Sequence, residues 1–124
     1  MKILTRAVLV AALGTGYAHA ECEAPAEPQI PDGANASMQD MLDGQQSVKA
    51  FQSGNMDYMK CLEAAFAEAE KAAKNADDKT EAAKAMATYS EAVDAYNTAV
   101  SREETVAGDF NIQIREYKAA NADK

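Results

Sequence analysis

The chain reads as an all-α protein: a long, coiled-coil-like antiparallel two-helix hairpin with an extended, Pro-rich N-terminal arm tethered by a disulfide. Three observations predict this. Ala, Glu, Lys and Met, all strong helix formers, dominate the second half, and few β-branched residues interrupt them. Two long stretches repeat apolar side chains at alternating steps of three and four, on either side of a polar break from Asn75 to Lys79. Pro25, Pro28 and Pro31 recur every third position, matching the three residues per turn of polyproline II.

The first twenty residues stand apart. Lys2 and Arg6 give a short positive region, Ala7 to Leu13 an apolar one, and Ala18-His19-Ala20 a small-residue cleavage site. This is the pattern of a secretory signal, with an apolar run too short to span a bilayer. The expected product begins at Glu21, soluble in a periplasmic or extracellular space, with no membrane insertion after cleavage. Glu21 directly before Cys22 does not suit a lipoprotein signal, so Cys22 is not expected to be acylated. The expected organisation is a signal over 1–20, an arm over 21–36 and a hairpin over 37–120. Within the hairpin, one helix covers 37–76, a turn 77–79 and a second helix 80–119.

Cys22 and Cys61 are the only cysteines. Exported pairs usually oxidise, so a structural bridge within the chain is expected, with a bond between chains as the rival. No C-x-x-C spacing points to a redox site. The one histidine, His19, leaves with the signal. That removes the Ser-His-Asp and Cys-His relays and every histidine-based metal site. The net charge of −8 becomes more acidic once Lys2 and Arg6 are lost. Nucleic acid and anionic membrane surfaces are therefore disfavoured as partners.

Element by element, Asn35 or Ser37 is placed to cap a helix opening at Met38. Asp77 or Asp78 is placed to end it and cap the next, and the short connection implies antiparallel neighbours. The second helix carries an apolar seam of Ala82, Met86, Tyr89, Val93, Tyr96, Val100, Glu103, Ala107, Phe110, Ile114 and Tyr117. The first answers with Met38, Met41, Gln45, Val48, Gln52, Asn55, Met59, Leu62, Phe66, Ala69 and Ala73. Folding about Asp77-Asp78 sets Phe66 near Tyr89, Leu62 near Val93, Met59 near Tyr96 and Met56 near Val100. It sets Leu42 near Ile114 and Met38 near Tyr117, and the layer of Gln52, Ser53 and Gly54 beside Glu103. One stretch is ambiguous: Phe110, Ile112 and Ile114 alternate like a strand after Gly108, while the helical seam runs through Phe110, Ile114 and Tyr117.

Chain reach constrains the arm. From Ser37 to Cys61 a helix rises about 36 Å, and the arm from Cys22 to Ser37 stretches to about 50 Å at most. The bridge closes only if the arm doubles back along the first helix. Ala50, Gly54, Tyr58, Cys61 and Ala65 share one side of that helix. Small residues at 50 and 54 admit a close backbone there, and Phe51 and Tyr58 offer apolar cover for the prolines and Ile30.

Candidate chemistry is sparse. Met38 with Met41, and Met56 with Met59, have the spacing of paired thioethers, which suit Cu(I); methionine more often fills gaps in a core. Asp77, Asp78 and Glu81 lack the glycine and regular ligands of a calcium loop and read as helix caps. Glu103 on an apolar seam has the makings of a buried acid, yet no base or nucleophile accompanies it. No catalytic, cofactor-binding or metal residue is assigned, and no cofactor is expected.

The signal, Cys22, the Pro-rich arm, Ile30-Pro31-Asp32-Gly33 and Tyr58-Met59-Lys60-Cys61-Leu62 together resemble small secreted or periplasmic helical proteins of Gram-negative bacteria. That resemblance implies a helical fold and brings no activity with it. Size and compartment are also similar to periplasmic stress chaperones of the Spy type, but their repeated Leu-Thr-x-x-Gln motif and basic concave face are absent. The resulting expectation is a non-enzymatic envelope interaction or structural protein, with a protein partner or a homodimer. The alternative is a small metal or ligand carrier using methionine side chains.

Overall fold

A computed structural model describes residues 22–124; the expected signal over 1–20 lies outside them. Two helices make up the fold, α1 (Met38–Lys74) and α2 (Lys79–Ala120), and they pack against each other as an antiparallel pair. Each begins where a side chain satisfies the first amides. Ser37 caps α1: its hydroxyl accepts from the Asp40 amide at 3.1 Å, and the Asp40 carboxylate accepts from the Ser37 amide at 2.8 Å. The Ser37 hydroxyl, then its amide, hold the Asp40 carboxyl below its ordinary range. Asp78 caps α2 by accepting from the Glu81 amide at 2.8 Å. Asn75 closes α1 and α2 opens at Lys79, so the connection covers 75–78, one residue longer than the expected 77–79 and displaced toward α1.

The ambiguous stretch is helix. α2 runs unbroken through Gly108 to Ala120, and no strand occurs among the described residues. A lone strand at Phe110–Ile114 needs a partner for its backbone groups. The arm is the one segment long enough to supply it, and it lies along α1 instead.

The contact seam follows a seven-residue repeat. On α1, Met41, Val48, Asn55, Leu62 and Ala69 are all buried, as expected. On α2 the expected column of Tyr89, Tyr96, Glu103 and Phe110 lies along the interface, but its companion is shifted by one residue. Ala92 and Ala99 are 0% and 1% exposed, whereas Met86 is 48% exposed and Val93 and Val100 are half-buried. The cause is size. Where two helix backbones approach most closely only a methyl group fits, and the larger side chains flank the contact.

Register is fixed by a specific bond: the Asn55 side-chain amide donates to the Ala99 carbonyl at 2.9 Å. Stepping along both helices from there sets Leu62 opposite Ala92 and Val48 opposite Val106. Phe66 lies edge-on to Tyr89, with ring centroids 5.9 Å apart, and to Tyr96 at 6.0 Å. The expected pairing of Phe66 with Tyr89 therefore holds. The expected layers of Leu42 with Ile114 and Met38 with Tyr117 do not: Leu42 and Met38 are exposed, while Ile114 and Tyr117 pack on the core cluster together with Ile30 and Ala36 of the arm. At that end of the hairpin the arm supplies the cover that α1 was expected to give.

The arm is a third layer. A disulfide joins Cys22 to Cys61, with Cα atoms 5.6 Å apart. From there the chain runs antiparallel to α1, past Gly54 at Pro25 and past Gly44 at Pro31. The lengths match: nine residues of polyproline II from Cys22 to Pro31 span about 28 Å, and α1 from Gly44 to Cys61 rises about 26 Å. The expected small residue at Ala50 is exposed and plays no part. Gly44 takes that role, since a Cβ there would lie 2.7 Å from the Pro31 ring.

Candidate functional site

The hairpin has two unlike sides. On one, the arm is locked down at four points. The first is the disulfide. The second is Arg102 of α2, which reaches across: its Nε donates to Glu27 at 3.0 Å, another guanidinium nitrogen donates to the Pro25 carbonyl at 3.2 Å, and the group lies 5.5 Å from the Phe51 ring centroid. The third is Pro31 on Gly44, with Ile30 against the core beside it. The fourth is the turn at Gly33. Its amide donates to the Gln113 side chain at 2.8 Å, and a Cβ there would collide with the Gln113 carbonyl oxygen. The turn itself is held by Asp32, which accepts from the Ala34 amide and the Asn35 side chain. Neither the docking of the Asp32-Gly33 turn on α2 nor the part played by Arg102 follows from the spacing of residues along the sequence. An arginine among the charges of α2 carries no sequence signal that it will meet a carbonyl 77 residues away.

The other side has no such cover. It presents Met56, Met59 and Phe66 of α1, and Met86, Val93 and Val100 of α2. Met56 is 52% exposed and Met86 48%. Toward the Asp77 turn an apolar groove of about 420 Å³ opens between the helices, lined by Ala73, Ala82, Met86 and Tyr89 with Glu70 and Lys74 at its edge. Glu63 borders this face next to Tyr96. The negative charge of Glu63 first, then desolvation and the hydrogen bond between them, push the Tyr96 hydroxyl above its ordinary range.

The remaining candidate residues fall in place as follows. Met41 belongs to the core cluster while Met38 is 59% exposed, so that pair is split between interior and surface. Asp78 and Glu81 are engaged in capping, Asp78 taking the Glu81 amide and Glu81 the backbone amide of Asp77 at 3.4 Å. Among the described residues no three His, Cys, Asp or Glu side chains are grouped so as to hold a metal ion. Glu103 is half-buried and accepts from the Asn55 side chain at 3.3 Å. Its polar partner is thus Asn55, not the Gln52–Gly54 layer expected from the sequence. Gly54 faces Pro25, and the Asn55 side chain, wholly buried, is the polar group that turns toward α2. The Asn55 carbonyl oxygen, Oδ1, is buried without a hydrogen-bond partner.

No helix among the described residues is long and apolar enough to cross a membrane. No family model matches the chain, and no curated protein or solved structure is significantly similar to it.

Proposed function

We propose that this is an exported, non-enzymatic protein of the cell envelope that works by binding, as an interaction or structural module. The observation that carries this reading is the contrast between the hairpin's two sides. One is strapped by a disulfide-anchored arm, a device suited to an oxidising compartment. The other offers a long, methionine-bearing apolar face on a rigid frame, and such faces adapt to protein surfaces. With no histidine beyond His19, the Ser-His-Asp and Cys-His relays are missing, which supports a binding role over a catalytic one.

The test is expression with the natural leader, followed by fractionation, intact mass and in-cell photo-crosslinking. A photo-reactive residue at Met56 should give discrete protein adducts, and one at Asp94, on the outer side of α2, should not. The mass should show cleavage after Ala20 and an oxidised cysteine pair. Retention in the cytoplasm with reduced thiols, or adducts equal at both positions, would overturn the reading. Stoichiometric Cu(I) bound through Met56 and Met59 would transfer the function to the carrier class.

A further inference from the structure

We infer that the arm-free face binds a second copy of this chain, antiparallel and two-fold symmetric, to make a four-helix bundle. This deepens the binding reading by naming the surface and the occupant. A two-fold interface must be self-complementary, with residue i meeting residue j and j meeting i. The Asn55–Ala99 register places the midpoint of Met56 and Met59 on α1 level with the midpoint of Val93 and Val100 on α2. Rotation about an axis crossing the face at that level superposes the pattern on itself. Val93 meets Val100 of the second copy, Met56 meets Met59, and Met86 meets Ala107. Leu42, 46% exposed with no cover in the single chain, lands on Ala73 at the edge of the apolar groove.

Polar residues obey the same symmetry. Lys49 falls opposite Phe66 of the second copy, within one turn of Glu63 and Glu70. Gln52 falls opposite Glu63, and Gln45 opposite Glu70. Lys49, and Lys74 paired with Glu70, offset two of the three carboxylates Glu63, Glu70 and Glu104 along this face, although the chain as a whole is strongly acidic. Most of the acid excess lies elsewhere, so this is the side on which two like-charged copies can approach. Size is sufficient as well. Leu42 to Ala73 spans about 47 Å of helix, and two helices side by side are about 18 Å wide, giving about 850 Å² per partner against the ~800 Å² of a standard stable interface.

The experiment is light scattering and sedimentation of the oxidised chain without its leader, from micromolar to millimolar concentration. Twice the chain mass is expected. Lys49→Glu, at an exposed position where folding is untouched, should weaken association about tenfold. Adding Glu63→Lys to the same chain should restore it. Val93→Glu should give single chains with the circular dichroism of the parent. A single-chain mass at every concentration overturns the inference. So does a dimer indifferent to Lys49→Glu and Val93→Glu. A single chain that still crosslinks through Met56 to a different protein overturns the second copy alone and leaves the binding reading standing.

Discussion

Removing the disulfide is the perturbation that bears most directly on how this fold is held. Cys22 and Cys61 are 39 residues apart. Closing a loop of that length costs the unfolded chain entropy equivalent to about 4 kcal/mol at room temperature. A domain of about 100 residues has a net stability of about 5–15 kcal/mol, so this one bond accounts for a large part of it. At this size each 1 kcal/mol moves the midpoint by about 4–8 °C, and the expected loss is about 15–30 °C. The variant to use is Cys22→Ser with Cys61→Ser together, which avoids leaving one half-buried thiol and needs no reductant.

Scanning calorimetry gives the midpoint, and hydrogen exchange shows where the structure loosens. Pro31 on Gly44, Ile30 in the core and Gly33 on Gln113 all survive the substitution. Helix content at room temperature should therefore hold, while exchange and proteolysis rise across Cys22 to Pro28. A midpoint that stays within a few degrees of the parent's would refute the idea that the bridge restricts the unfolded chain. Loss of protection spread evenly over α1 and α2 would refute the idea that the arm is a separate layer held at its far end.

Other substitutions probe the remaining contacts. Gly44→Ala drives a methyl group into the Pro31 ring and should cost about 1–3 kcal/mol in a denaturant titration, whereas Gly108→Ala, with open space around the new Cβ, should gain up to about 1 kcal/mol. Arg102→Ala removes the bonds to Glu27 and the Pro25 carbonyl and the contact over Phe51. With Glu27 mostly exposed, the expected loss is about 1–2 kcal/mol, read with faster hydrogen exchange in residues 23–28. Asn55→Leu removes an orphaned buried carbonyl oxygen and should raise stability by about 1–2 kcal/mol. It should also broaden the distance distribution between spin labels on α1 and α2, because the bond that fixes register is gone.

Much of this architecture is written in periodicity. The column Met41, Val48, Asn55, Leu62, Ala69 is a strict heptad, and an antiparallel partner follows once Asp78 is recognised as a cap. The companion column on α2 falls one residue away from where apolar size points, because size is no measure of burial at a close helix contact. Ala92 and Ala99 are the deepest residues of that helix because they are small. Hydrophobic period locates a face to within one residue, and backbone separation decides which of two neighbours is central. The arm's course was legible from chain reach, since the bridge can close in only one direction. Its anchor points were less so. Nothing in the spacing distinguishes Gly44 from Ala50 as the site of close approach until the polyproline rise is laid against the helical rise. Arg102 and Gln113 act across sequence separations of 75 to 80 residues, to which no local pattern points.

The polar interruption at Asn55 and Glu103 links fold to function. A seam of alanine, valine and leucine at seven-residue intervals is nearly as favourable one heptad up or down, because such a shift returns apolar residues to apolar sites. A slip of that kind would carry Arg102 away from Glu27, Pro25 and Phe51, and Gln113 away from Gly33, so the arm would lose its hold on α2. It would also separate the level of Met56 and Met59 from that of Val93 and Val100, destroying the symmetry of the open face. Asn55 opposes both at once. Its amide meets the Glu103 carboxylate together with the Ala99 carbonyl only in the native register, and a slip of one heptad takes that carboxylate away. The unsatisfied Oδ1 is the stability given up for that specificity. A bare two-helix seam needs such a device more than a larger core does, since it has few other contacts to choose among alignments. The buried asparagine and the arm are thus two parts of one solution. Asn55 sets the alignment of the helices, and the arm fits that alignment alone and, through Cys22, is bonded to it.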